Sequence, residues 1–210
     1  RGHGWKIRGL FYFISQKGDG TSTYEIIWHG RGGQGVVIAA QMLAEAAYLQ
    51  DFRGVTSAPT FGPERRGAPV AASTRIAQEA IRIFSQIEAA DIAVVLDESL
   101  FRVVDIYSRL RKDGVLIINT RKPLEKWEVK GGCRLAVVDA AGIALRHHLS
   151  KEGAPVVNTP MLGAFARATG LVSLDNLEKA LNHKLPPGQG ARNMATVKAA
   201  YEETNLGDKP

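Results

Sequence analysis

Gly30, Arg31, Gly32, Gly33, Gln34 and Gly35 follow the apolar run Tyr24-Glu25-Ile26-Ile27-Trp28-His29 directly and open a helical stretch at 36–48. This is G-x-G-x-x-G spacing in strand–turn–helix order. Glycine at 30 permits a tight turn, glycine at 32 admits a ligand or another backbone at close range, and glycine at 35 lets the helix pack onto its strand. The N–H groups left free at the helix start suit a phosphate, a carboxylate or an acidic group of a partner. Arg31 and Gln34 are the side chains of this turn that can contact such a ligand.

A dinucleotide site also requires an acidic residue about 20 positions on, at the end of the second strand, to hold ribose hydroxyls. The matching stretch, Gly54-Val55-Thr56-Ser57-Ala58-Pro59, has no carboxylate, and Asp51 precedes the strand rather than ending it. The turn therefore argues for an anion more than for NAD or FAD.

A second segment with chemical capacity spans residues 61–69: Phe61-Gly62-Pro63-Glu64-Arg65-Arg66-Gly67-Ala68-Pro69. Proline and glycine stiffen it, and Arg65 and Arg66 each offer a fork of donors to a carboxylate or phosphate. An internal ion pair from Glu64 to one arginine is the competing expectation. Asp97-Glu98 ends an apolar run and reads either as catalytic carboxylates or as a helix-entry pair. His147 and His148 are neighbours, about 100° apart around a helix, so they do not converge on one ion as an i, i+4 pair would. Nucleophile-elbow, zinc-protease and P-loop motifs do not occur. No catalytic residue and no metal ligand is assigned to this chain.

The elements that must position these groups follow from hydrophobic period and turn chemistry. Strands are expected at 24–29, 54–58, 70–76, 80–85, 91–97, 115–119 and 134–139, the pair 70–76 and 80–85 flanking a tight turn as an antiparallel excursion. Helices are expected at 36–48, at 99–110 with Gly114 as a stop, and at 140–149. Three more are expected from Met161 behind an Asn158-Thr159-Pro160 cap, at 174–181 behind Ser173, and at 191–204. The alternation describes an α/β fold: a doubly wound, mostly parallel sheet with helices on both faces and a small antiparallel excursion. Residues 1–23, with Lys6 to Ile14 as a strand or docking arm, read as an N-terminal arm to a domain at 24–210.

The 210 residues include 45% apolar ones, enough for one sizeable core, and carry a formal charge of +6 spread along the chain. Spread charge favours an acidic partner or anionic ligand over nucleic acid, and no apolar run approaches the roughly 20 residues of a membrane span. Cys133 is the only cysteine, which excludes an internal disulfide or an iron–sulfur cluster held by this chain alone. It reads as a small buried hydrophobe, in a protein suited to a reducing cytoplasm.

The two segments His29 to Gly35 and Phe61 to Val70, with Asn158-Thr159-Pro160-Met161-Leu162-Gly163-Ala164 as a third motif in order, resemble the gamma subunit of the 2-oxoacid:ferredoxin oxidoreductases, the pyruvate synthase type especially. The likeness covers about residues 24–204. It implies a subunit of a complex that oxidatively decarboxylates a 2-oxoacid to acyl-CoA and CO2 and passes electrons to ferredoxin. Thiamine diphosphate, Mg2+ and [4Fe-4S] clusters would then lie on partner subunits: thiamine-binding alpha and beta chains and a ferredoxin-like delta chain. Coenzyme A is the one cofactor this chain would contact, through the glycine turn with Arg31 and Gln34, through Arg65 and Arg66, and through Asn158 and Thr159. The resemblance favours pyruvate, with branched-chain 2-oxoacids or oxalate as alternatives. Two readings from other classes stay open: a free-standing nucleotide-binding domain, and an interaction module with an empty glycine turn.

Overall fold

The computed structural model describes residues 23–59, 65–82 and 85–207. Seven strands form one sheet in the order β2-β3-β1-β4-β5-β6-β9. They are β1 (Tyr24–Arg31), β2 (Gly54–Pro59), β3 (Pro69–Ala77), β4 (Ala90–Val95), β5 (Leu110–Asn119), β6 (Arg134–Val138) and β9 (Asn205–Leu206). Strands β1, β4, β5 and β6 run parallel, whereas β3 lies antiparallel between β1 and β2, and β9 closes the far edge antiparallel to β6. A separate hairpin of β7 (Ser150–Lys151) and β8 (Ala154–Pro155) stands outside the sheet. The α-helices are α1 (Val36–Tyr48), α2 (Ala140–Arg146), α3 (Asn158–Thr169), α4 (Leu174–Lys184) and α5 (Gly190–Glu203).

This is the expected mostly parallel α/β sheet, but the α-helices expected on both faces all pack on one, and 3-10 turns cover the other. Strand β1 serves both faces, because its side chains alternate: Tyr24, Ile26 and Trp28 enter one core, and Ile27 and His29 face the other way. The first core takes all five α-helices. Trp28 stacks on Phe165 of α3 with ring centroids 5.9 Å apart, and its indole N–H donates to Thr74. Thr74 in turn donates to the Ala40 carbonyl of α1, so one buried hydroxyl ties β1, β3 and α1 together. Gly163 brings α3 against α5; a Cβ there would stand 2.0 Å from the Val197 carbonyl oxygen.

The second face is covered by single 3-10 turns, at Glu98–Arg102, Tyr107–Arg109 and Leu124–Lys126. The helix expected at 99–110 is thus replaced by two such turns, and β5 begins at Leu110. Side chains compete with the backbone there: Asp97 accepts from Ser99 N–H, Asp105 accepts from Ser108 N–H, and the Ser108 hydroxyl donates to the Asp105 carbonyl. Phe101, Val104 and Tyr107 still pack against the core, at a spacing of three that suits 3-10 turns, while Val103 is left exposed. Gly114 is no stop. It lies within β5 beside the register shift against β4, where a Cβ would press on the Arg111 and Asp91 carbonyls.

The run at 80–85 forms no strand among its described residues, and the antiparallel excursion is instead β2 with β3. Both edges of β3 are already taken, by β1 and β2, which leaves no ladder for a third partner. Helix α3 starts at Asn158 rather than at Met161, with Val157 as its cap residue, so Pro160 occupies the first turn, where its missing N–H costs nothing. Helix α2 ends at Arg146, three residues early, and His148 follows in the left-handed region. Ser173 caps α4 as expected, accepting from Asn176 N–H, and α4 extends to Lys184. Cys133 is buried in the second core, and burial pushes its thiol pKa up. The arm expected at 1–23 lies outside the described residues, apart from Thr23.

Candidate functional site

From β1 the chain moves out to β2 and β3 on one side, then returns to lay β4, β5 and β6 on the other. The switch point lies between β1 and β4, and in open α/β sheets the crevice at the carboxyl ends of such strands is the ligand position. A groove of about 830 Å³ occupies it. One rim is Gly32, Gly33, Gln34, Arg65 and Arg66; the floor is Leu96, Asp97, Glu98, Asn119 and Thr120; the opposite wall holds Arg121, Lys122, Asp139 and the hairpin residues Lys151, Glu152, Ala154 and Pro155.

The first rim is two segments joined backbone to backbone. Gly32 N–H donates to the Ala68 carbonyl at 2.9 Å and Gly67 N–H donates to the Gly32 carbonyl at 3.1 Å. A Cβ on Gly32 would sit 2.3 Å from the Arg65 carbonyl oxygen, so the close approach that glycine permits here is to its own chain. Gly30 packs against Val36, while Gly33 and Gly35 take positive φ of 96° and 74°. A side chain at 35 would also strike Asn158.

Arg31 is committed internally. Its guanidinium donates to Ser99 Oγ from Nε and Nη2 and to the Gly67 carbonyl from Nη1, and lies 3.2 Å from Asp97. Gln34 accepts from Arg31 N–H and donates to Asp97 Oδ2. Burial alone would raise the Asp97 pKa, but hydrogen bonds from Ser99, the Arg31 charge and the Gln34 amide outweigh it and hold the carboxyl below its ordinary value. Asp97 is therefore an ionised turn cap that fastens the glycine turn to the 3-10 turn after β4, in line with the helix-entry reading.

Three more ion pairs line the groove, of which only the first spans it from rim to wall. Arg66 meets Glu152 at 2.9 Å, Lys122 meets Glu98 at 3.1 Å and Arg121 meets Asp139 at 3.3 Å. Glu98 also accepts a short hydrogen bond from the Thr120 hydroxyl. Asn119 braces the floor by donating to the Leu96 carbonyl and accepting from Ala141 N–H. Arg65 and Lys151 form no ion pair among the described residues. Glu64, and with it the expected internal ion pair of this segment, lies outside the described residues.

Of the residues read as binding candidates, Gly32, Gly33, Gln34, Arg65 and Arg66 line the groove. Gly30 and Gly35 shape the turn, and Arg31 braces it. Asn158 and Thr159 stand elsewhere: Asn158 reaches toward the Gly35 carbonyl, and the buried Thr159 hydroxyl donates to Asn193 of α5. The sequence reading missed Asn119 to Lys122, Asp139, Lys151 and Glu152 as groove residues. The polar residues that follow the apolar runs of β5 and β6 carried the signal for the first five, since parallel strands deliver their carboxyl ends to one edge.

Comparisons with known proteins identify the family. Residues 25–203 match the family described as pyruvate ferredoxin/flavodoxin oxidoreductase. The chain is 46% identical over 186 residues to a pyruvate/ketoisovalerate oxidoreductases common subunit gamma from Pyrococcus abyssi, covering 87% of this chain and 97% of the relative. It is 47% identical over 179 residues to a pyruvate synthase subunit PorC from Methanothermobacter marburgensis, covering 85% and 96%. The crystal structure of pyruvate oxidoreductase subunit PORC from Thermotoga maritima superposes with a TM-score of 0.75 at 38% identity, covering 89% of this chain and 99% of that one. The three ordered motifs and the fold that joins them thus place the chain within the pyruvate ferredoxin/flavodoxin oxidoreductase family, beside its gamma subunits.

Proposed function

We propose that this chain is the accessory, non-catalytic gamma-type subunit of a complex that oxidatively decarboxylates a 2-oxoacid, pyruvate first, and passes the electrons to ferredoxin. Its groove holds coenzyme A for the thiamine-bearing partners. The names of relatives that share their sequence with almost the whole chain support the substrate class, and ketoisovalerate in one of them keeps branched-chain acids as the second reading.

The chemistry of the donor set supports the division of labour. A [4Fe-4S] cluster takes four cysteine thiolates, and the chain has one cysteine. Among the described residues no group of three His, Cys, Asp or Glu side chains is placed to hold a metal ion. The clusters are therefore assigned to partners; the thiamine diphosphate and its Mg2+ are assigned there with them, and ferredoxin is assigned to the complex rather than to this groove. No helix among the described residues is long and apolar enough to cross a membrane.

Coenzyme A fits the groove in size and charge. The volume lies within the ordinary range of small-molecule sites, and Arg65, Arg66, Lys151, Lys122 and Arg121 offer cations to a polyphosphate. The observation that carries this reading is the joined rim, which places Arg65 and Arg66 at the mouth of the switch-point crevice beside Gly33 and Gln34. The chain's own residues bind and orient; the acyl acceptor thiol that coenzyme A supplies reacts at the partners' centre.

The test is the reconstituted complex carrying Arg65→Gln or Arg66→Gln. A raised KM for coenzyme A with kcat retained is the expected result. Unaltered KM in both variants sinks the reading, and turnover of pyruvate by this chain alone refutes the accessory role.

A further inference from the structure

The β7–β8 hairpin forms the outer wall of the groove and, among the described residues, pairs only with itself. Its two-residue turn is Glu152-Gly153, both with positive φ, 51° and 78°. That is the backbone a tight primed hairpin turn demands, and glycine meets the demand while glutamate does not favour it. Most residues in this turn position would be Asn or Asp; here a long acidic side chain is held at the tip despite the conformation. From the tip, Glu152 Oε2 accepts from Arg66 Nη1 at 2.9 Å, across 86 residues of sequence. The pair joins the two rims of the groove, and its side chains are 74% and 61% exposed.

We infer that Glu152 is a built-in competitor for the anion site: its carboxylate occupies Arg66, tethers the hairpin over the groove, and yields to an entering polyphosphate. The inference rests on the proposed binding of coenzyme A in this groove and names the residue that regulates it. Three features argue for a tether that yields. The pair is exposed, so it is screened and weak. The hairpin is otherwise held near its base, through Val156 N–H donating to the Leu149 carbonyl, so its tip has little else to anchor it. Lys151 sits next to Glu152 on the same wall, so when the carboxylate leaves Arg66 the hairpin still presents a cation to the ligand. A group carrying several negative charges gains Arg66, Arg65 and Lys151 together, whereas a monocarboxylate merely exchanges with Glu152. The device therefore selects polyphosphates over the 2-oxoacid substrate itself.

Coenzyme A and inorganic pyrophosphate are titrated calorimetrically into the assembled complex carrying the wild-type chain, Glu152→Gln, Arg66→Gln or both. In parallel, amide exchange is followed across residues 150–156 without ligand. The expected result is about twofold to fivefold tighter coenzyme A binding in Glu152→Gln, from removal of one exposed competing carboxylate. That gain should vanish when Arg66→Gln is also present. Amide exchange of the hairpin should quicken in both single variants and stay at the wild-type rate in Glu45→Gln, which breaks a surface pair elsewhere. Unchanged affinity in Glu152→Gln, or a gain that survives Arg66→Gln, overturns the competitor role while leaving groove binding intact. Pyrophosphate that tightens in Glu152→Gln where coenzyme A does not bind supports the competitor and overturns the coenzyme A reading. Absence of binding by either anion in every variant overturns both.

Discussion

Arginine–carboxylate pairs gather at both ends of the sheet, and the two gatherings are built differently. At the amino ends of the parallel strands, Arg75 and Arg111 clasp Glu25, and Arg111 also holds Asp91, which accepts from Glu25 N–H. The Arg75, Glu25 and Asp91 side chains are 7%, 17% and 8% exposed. Every carboxylate there has several partners. Burial alone would lower the Arg111 pKa, but the hydrogen bond and charge of Asp91, with those of Glu25, push it above its ordinary value. At the carboxyl ends, around the groove, the pairs of Arg66, Lys122 and Arg121 bridge separate segments through exposed cations. A charge that is already desolvated and fully paired is structural, whereas one that is solvated and singly paired can change partners without a large penalty. The same residue types thus make a clamp at one end and a solvated edge, free to change partners, at the other.

The sharpest way to break this comparison is at the clamp. Arg75→Met leaves Glu25 with Arg111 as its remaining cation and releases the carbonyl of the exposed Ser85, which Arg75 also serves, to solvent. Removing one partner of a buried pair costs about 3 kcal/mol, at the lower end of the usual range because Arg111 remains. Urea unfolding should show that loss at constant slope. A loss as small as that of Arg66→Gln would erase the distinction between the two ends.

The next effect is read by pH. His29 lies on β1 between the two ends, buried, with Nε2 meeting no hydrogen-bond partner among the described residues, and burial followed by the Arg109 charge pushes its pKa down to about 4. The unfolded chain takes up a proton near pH 6.5 while the folded imidazole resists until about pH 4. Its contribution is therefore complete above pH 6.5 and declines as pH falls toward 4, reaching a loss of about 2.5 kcal/mol at pH 4.5. His29→Gln should flatten the stability profile between pH 7 and 4.5. A parallel profile for variant and wild type would show that the imidazole is solvated in the folded chain.

These residues also mark how far the sequence alone could be read. The strands 91–97, 115–119 and 134–139 were legible because continuous β-branched runs belong to parallel strands covered on both faces. The glycine turn was legible because its spacing stood between an apolar strand and an apolar helix. The helix expected at 99–110 was misread because the apolar positions satisfy a three-residue spacing as well as a helical one, and Asp97, Asp105 and Ser108 decide between them through local hydrogen bonds. Arg31 was read as a ligand contact, and only the fold reveals that Gly67, Asp97 and Ser99 converge on it. Glu152 and Lys151 carried no signal at all, since a two-residue strand has no period and the groove wall arises from the placement of the hairpin. Asn158 and Thr159 match a motif whose side chains meet the Gly35 carbonyl and Asn193 of α5, contacts that only the fold reveals.

Arg31 is the intermediate case between clamp and edge, with its side chain 27% exposed and Asp97 23%. Arg31→Ala removes the bonds to Ser99 and Gly67 and the charge facing Asp97, a loss of about 1–2 kcal/mol. Because Arg31 holds Gly67 against the glycine turn, the same variant should loosen residues 65–68, which faster amide exchange there would report. The Asp97 carboxyl should also titrate at higher pH, although Ser99 and Gln34 keep part of its depression. Unaltered exchange at 65–68 would show that the Gly32 backbone bonds alone hold the rim.

Arg65 is expected to give the smallest change in stability, and for that reason it isolates function best. It is exposed and lines the groove, and its carbonyl is fixed by Ala68 N–H whatever side chain it carries. Arg65→Gln keeps that backbone bond and removes only a solvated charge, so the unfolding midpoint should not move measurably. Coenzyme A binding, if it uses this rim, should weaken and lose part of its salt dependence, because one screened attraction has gone. Should Arg65→Gln instead destabilise the chain as Arg75→Met does, the carboxyl-end arginines would be structural after all, and the groove would have to find its ligand-binding charge on Lys151 and Lys122.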